Sequence, residues 1–144
     1  MAARVEVTEV NVDAKLPHRS ADGSAYFLYS CRAFLIESAK SRMLKTGLQV
    51  NFSSEYSAEI FGSLFLAERG LLAHRTVITN GMIQFVVTNL GSKDQMLLHE
   101  HYIGDMVIRK TVNTNLVEME GNEERGKHAG NDNFKFTAKI FTTL

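Results

Sequence analysis

The 144-residue sequence holds a single cysteine, Cys31, so no internal disulfide and no cysteine-rich zinc motif is possible, and a reducing compartment is expected. It has no net charge either. Sixteen basic residues balance sixteen acidic ones and are dispersed among them. Binding driven by nucleic-acid phosphates needs a basic stripe, so no nucleic-acid partner is expected. Long apolar runs are missing as well. The amino-terminal residues 1–10 carry charges where a signal peptide needs an apolar core, and no later stretch approaches the roughly 18 apolar residues of a membrane span. The expectation is an intracellular protein of cytoplasm or nucleus, neither secreted nor membrane-bound.

What is present is the composition of an ordinary globular domain, 44% hydrophobic and 22% charged, and residues 1–144 are read as one domain. Residues 5–12 alternate apolar and polar with one slip at Thr8-Glu9, which predicts a strand carrying a bulge. Runs rich in aromatic and β-branched residues predict further strands within 25–29, 33–36, 47–52, 57–61, 75–78, 83–87, 106–108 and 134–140. Turn signals fall at Asp22-Gly23, Thr46-Gly47, Asn80-Gly81, residues 89–94 and Gly121-Asn122. Lys40, Arg42 and Lys45 read as a polar turn. One segment, 62–70, reads as a helix of one or two turns, with Ser63 as N-cap and Gly70 as its stop. Many short strands and one short helix predict an all-β jelly roll or distorted barrel. Residues 113–133 are polar and rich in Gly and Asn, a tether to an arm strand over 134–144 whose Phe134, Phe136, Ala138 and Ile140 share one face.

The stretch from Phe34 to Ile60, with an apolar strand, a polar turn and the opening Thr46-Gly47-Leu48, resembles the trimeric dUTPases. Other landmarks follow in register. Ser24-Ala-Tyr-Phe-Leu-Tyr-Ser30 resembles the first family motif, Leu66-Ala67 the second, the strands around Val77-Ile78 and residues 83–89 the flanks of the third, and Ile103-Gly-Asp-Met-Val-Ile108 the start of the fourth. Arg125-Gly126 and Gly130 resemble the start of the glycine-rich fifth. The resemblance covers about residues 20–130, and its strength lies in the common order of the motifs.

The resemblance implies a homotrimer that exchanges carboxy-terminal arms and a site that hydrolyses dUTP with magnesium. Such chemistry needs a base for water, offset of phosphate charge and donors that hold the nucleotide. This sequence departs at each point. Phe27 stands at the carboxylate of the first motif and is expected to pack in the core; Ser63 approaches the serine of the second motif, whose arginine is absent. Thr79 replaces the base of the third motif, and Asn80-Gly81 predicts a tight hairpin turn that closes the pocket. Gly104 and Asp105 persist as a turn, and Arg109 falls at the phosphate-binding glutamine, where a solvated surface arginine is expected. Arg125 marks the fifth motif, which lacks its Ser-Thr pair. These positions read as vestiges of a nucleotide pocket, with no catalytic residue, no metal site and no cofactor, magnesium entering only if activity persists.

Outside the resemblance, His99 and His101 flank Glu100 at strand spacing; no third metal ligand is identifiable, and a solvated strand face is expected. Cys31 is expected as a small core residue. The terminal Thr142-Thr143-Leu144 fits the carboxy-terminal pattern that PDZ domains capture. The combined reading is a catalytically degenerate dUTPase-like protein of viral origin, a pseudoenzyme that binds a host protein. A dUTP diphosphatase with a remodelled site and a capsid-associated structural jelly roll are the alternatives.

Overall fold

The computed structural model describes residues 5–53, 55–110 and 117. The chain divides after Lys110, and the unit before that point is described here. Apart from the exposed Val117, the expected tether and arm strand lie outside the described residues, and with them Arg125, Thr142 and Leu144.

In chain order the elements are β1 (Val5–Glu9), β2 (His18–Arg19), β3 (Tyr26–Tyr29), β4 (Phe34–Ile36), β5 (Ser41–Phe52), β6 (Tyr56–Gly62), α1 (Leu64–Glu68), β7 (Leu71–Ala73), β8 (Thr76–Ile78), β9 (Asn80–Asn89), β10 (Gln95–Leu97) and β11 (Tyr102–Lys110). They form a four-stranded sheet in the order β1-β5-β9-β7, a five-stranded sheet in the order β2-β3-β11-β6-β8, and the small pair β10-β4. Every pairing is antiparallel. The all-β expectation therefore holds among the described residues, with one short helix there.

Period-two alternation builds the core. β9 turns Ile83, Phe85 and Val87 inward, and the five-stranded sheet supplies Leu28, Ala58, Ile60 and Met106 to the same buried cluster. Each of these side chains apart from Ala58 contributes about 1.5–3 kcal/mol when fully buried. The helix forms where its caps require it. Ser63 Oγ accepts from the Leu66 amide at 3.3 Å, and Gly70 ends the turn at φ 73°.

Several local expectations are corrected. β1 pairs with β5 without interruption from Val5 to Glu9, so the bulge is not at Thr8-Glu9 and the strand stops short of Val12. The irregularity lies in β5, whose register against β9 shifts between Lys45 and Gln49. Thr46 and Gly47 are a buried bulge and not a turn: Thr46 Oγ1 donates to the Ile83 carbonyl at 2.7 Å, while Gly47, at φ 73°, offers its carbonyl to the amides of Val10 and Asn11. Lys40, Arg42 and Lys45 are likewise no turn. Ser41–Phe52 is one strand, and Arg42 extends over the Phe34 ring and donates to the Leu35 carbonyl at 2.8 Å.

The correction at Asn80-Gly81 bears on the site. β8 belongs to the five-stranded sheet and β9 to the four-stranded one, so this pair opens a strand that switches sheets and makes no hairpin. Asn80 and Gly81 stand opposite Asn51 and Val50 of β5, and Asn80 Oδ1 accepts the Phe52 amide at 2.8 Å. Pairing with β5 overrides the local turn preference.

Candidate functional site

In β3 the buried position is Leu28, which leaves Phe27 and Tyr29 half-buried on the outer face of the five-stranded sheet. Phe27 is therefore not core packing, because alternation gives the core to its neighbour. The registers set His18, Phe27, Asp105 and Phe61 directly opposite one another across β2, β3, β11 and β6. Residues opposite one another share a face, so these four form a continuous row.

A second set of rings covers this row. Tyr102 lies against Phe27 with centroids 5.2 Å apart and planes at 64°, and against Tyr29 at 6.3 Å. Edge-to-face pairs of this kind contribute about 0.5–1.5 kcal/mol beyond their burial. His18 meets Tyr29 edge-on at 5.7 Å with its Nδ1 3.2 Å from the phenol oxygen, and the Lys15 ammonium sits 4.1 Å from the Tyr29 ring centroid. Tyr102 donates its hydroxyl to Asp105 Oδ1 at 2.5 Å. Burial, with that hydrogen bond adding to it, pushes the Tyr102 hydroxyl well above the ordinary phenol range.

Tyr102 and Asp105 are three apart, a spacing that in a regular strand puts them on opposite faces. The register of β11 against β3 shifts between Tyr102 and Gly104, and this bulge brings both to the outer face. Gly104 and Asp105 thus stand in mid-strand, paired on both sides, and not in a turn. A Cβ on Gly104 would come within 2.7 Å of the Phe61 carbonyl oxygen and 3.3 Å of the Phe85 ring, so packing between the sheets requires the glycine.

The remaining positions are dispersed. Ser63 is buried, donates its hydroxyl to the Tyr102 carbonyl at 3.1 Å and caps α1, which occupies the oxygen a phosphate would need. Thr79 is exposed at the corner after β8, the edge of the sheet opposite His18. Arg109 is exposed near the end of β11, with Nε 4.0 Å from Glu59 Oε2, while Arg75 Nε is 3.4 Å from Oε1 of the same carboxylate. His99 and His101 lie in and beside a turn, not on a strand face. His99 Nε2 bonds the Asp13 carbonyl at 2.8 Å, and His101 Nδ1 accepts the Leu98 amide at 3.0 Å. Cys31 is buried as expected.

A hydrated magnesium ion binds through carboxylates. Among the described residues the row does not fit it: a phenylalanine ring holds the position that the resemblance assigns to the first motif, and the neighbouring Asp105 carboxylate accepts from Tyr102. Among the described residues no three His, Cys, Asp or Glu side chains group to hold a metal, and no helix is long and apolar enough to cross a membrane. Sequence reasoning missed Tyr29, Tyr102 and Lys15. The available signal was the spacing of Phe27 and Tyr29, two apart and hence on one face.

A family model described as dUTPase matches residues 12–136. No curated protein matches the chain. Among solved structures, the dUTPase of Staphylococcus bacteriophage 80alpha has a TM-score of 0.75 at 14% identity, covering 83% of this chain and 98% of that one. The dUTPase of phage phi11 of S. aureus has a TM-score of 0.74 at 13% identity, with 83% and 98% covered. A mutant of the phi11 protein, described for its coordination of a structural Mg(II) ion, has a TM-score of 0.75 at 13% identity, with 83% and 99% covered.

Proposed function

The chain belongs to the dUTPase family, and from that membership we propose that it is a non-enzymatic member of viral origin, a homotrimeric protein-interaction or regulatory module inside its host cell. The observation that carries this reading is the outer row of the five-stranded sheet. Where the family's first motif places a carboxylate, Phe27 seats against Tyr102, and the adjacent Asp105 already accepts the Tyr102 hydroxyl. Thr79, at the position of the base, has no side chain acidic enough to activate water. Loss of the base, the metal-side carboxylate and the phosphate arginine together removes the charges the reaction needs.

A fold does not fix a function. The 80alpha protein is described among phage dUTPases that control transfer of virulence genes by a proto-oncogenic G protein-like mechanism, which gives regulation a precedent on this architecture. Family membership also supports the homotrimer, and a trimer presents three copies of the tail ending in Thr142 and Leu144, so a PDZ-type partner would gain from avidity. Addition of a glycine after Leu144 should then abolish capture on a PDZ-domain array.

The deciding experiment is a dUTP hydrolysis assay with magnesium, paired with calorimetry on a non-hydrolysable dUTP analogue. Neither turnover above buffer nor tight binding is expected. Turnover would establish the second reading, a dUTP diphosphatase with a remodelled site, and assembly beyond a closed trimer in light scattering would favour a structural jelly roll. The arm has its own test: a chain ending at Asn133 should dissociate or aggregate in sedimentation, and an unchanged trimer would contradict the role given to residues 134–140.

A further inference from the structure

The segment between β10 and β11 is held by bonds of two kinds. The Glu100 amide donates to the Ser30 carbonyl at 2.9 Å, the Ser30 amide to the His101 carbonyl at 3.0 Å, and the His101 amide to the Leu98 carbonyl at 3.1 Å. None of these depends on a titrating group. Two further bonds use imidazole rings, and the two rings play opposite roles. A carbonyl only accepts, so His99 donates from Nε2 to Asp13 and remains a donor when its ring is protonated. An amide N–H only donates, so His101 must accept the Leu98 amide through a bare Nδ1.

We infer that residues 98–101 form a proton-sensitive latch, closed while His101 Nδ1 is bare and opened when that nitrogen takes a proton. Protonation places two N–H donors face to face at the Leu98 amide, and no second acceptor for that amide is formed among the described residues. The turn has little slack, because Glu100 is held at φ 66°, in the left-handed region that disfavours side chains. The His101 ring packs edge-on against Phe65 of α1 at 4.9 Å, and the Arg69 guanidinium lies 4.2 Å from the same Phe65 ring. The other charged and titratable groups around the turn are His99 and Glu100 within it, Asp13 in the segment that His99 holds, Arg32 beyond Ser30, and Tyr102 and Asp105 on β11. Among the described residues no carboxylate forms an ion pair with the ring. The latch sits where β11, α1 and the amino-terminal segment meet, and its opening frees the Leu98 amide while the His99 bond to Asp13 and the backbone bonds to Ser30 persist.

The test is amide hydrogen exchange on the full chain between about pH 8 and about pH 5, corrected for intrinsic rates. Leu98 protection should fall about five- to tenfold across it, the change carried by one net hydrogen bond, while Val87 in the core keeps its protection. His101→Asn supplies a carboxamide oxygen that accepts without titrating, and should leave Leu98 protected at both ends of the range. His101→Phe keeps the contact with Phe65 but should lose Leu98 protection throughout. Leu98 protection that is independent of pH in the unmodified chain, or an unchanged pH dependence in His101→Asn, would overturn the latch. So would nitrogen chemical shifts that place the neutral ring's proton on Nδ1.

Discussion

On the inner face of the five-stranded sheet Leu28, Ile60, Ile103 and Met106 are 2% exposed or less, whereas on its outer face Phe27, Tyr29, Tyr102 and Asp105 are half-buried and Phe61 is 43% exposed. The same strands carry both sets. The inner set must fill a closed space at crystal-like density, so its sizes are constrained from both sheets. The outer set meets only neighbours on its own surface, and one of its rings, Phe27, stands where the family resemblance implies a carboxylate while the layer beneath stays closed. The difference separates what holds the fold from what decides its chemistry.

Substitutions on the two faces test that separation, and the largest effect belongs to the inner one. Phe85→Ala opens a cavity between the sheets and should cost about 3–5 kcal/mol, read from urea midpoints. Gly104→Ala should cost less, about 1–3 kcal/mol, since its methyl meets the Phe61 carbonyl and the Phe85 ring and the sheets must part slightly. An outer change such as Tyr102→Phe should cost only about 0.5–1.5 kcal/mol, because it removes one hydrogen bond and keeps the ring. Its effect on pH dependence is more specific. The hydroxyl titrates higher in the folded chain than in the unfolded one, so its contribution is full below about pH 10 and fades as pH rises toward the folded value. Unfolding at alkaline pH should therefore weaken the parent chain more than Tyr102→Phe. If the two decline in parallel, the Tyr102–Asp105 bond is not what holds the outer row.

The smallest effect lies away from both faces. In the loop between β2 and β3, the Ser24 amide and the hydroxyls of Ser20 and Ser24 donate to the Asp22 carboxylate. The Ser24 amide contributes most and the two hydroxyls add to it, bringing the carboxylate down to about 2. Carbon chemical shifts should show that low titration directly, and Ser24→Ala should move it only part of the way back, because the backbone donor remains. Any stability linked to Asp22 is full above the ordinary aspartate range and is lost as pH falls toward about 2.

The elements legible in the sequence were those whose signals are local or long. Ser63 and Gly70 bracketed α1 because capping is a matter of a few neighbouring residues, and the alternation from Ile83 to Val87 is long enough to give its face. β7 and β10 span three residues each and show no period at all. Thr46-Gly47 and Asn80-Gly81 carried true turn chemistry, but a glycine at positive φ serves a bulge or a sheet switch as well as a turn, and the partner strand decides which. At the site, departures at Phe27 and Thr79 were visible in the motifs. The grouping of Tyr102 with Asp105 was not, since it depends on a bulge that no local residue announces.

The corner at Thr79 has a mechanical consequence. One residue separates the last residue of β8 in one sheet from the first of β9 in the other. The two Cα–Cα steps from Ile78 to Asn80 span at most about 7 Å of chain, less than the roughly 10 Å between packed sheets, so the two strand ends cannot draw further apart without tearing hydrogen bonds from one of the sheets. Thr79 acts as a stitch. Melting that begins at β8, on the outer edge of its sheet, passes tension directly to β9, which lies inside the other, and so ties the fate of an edge to that of the interior.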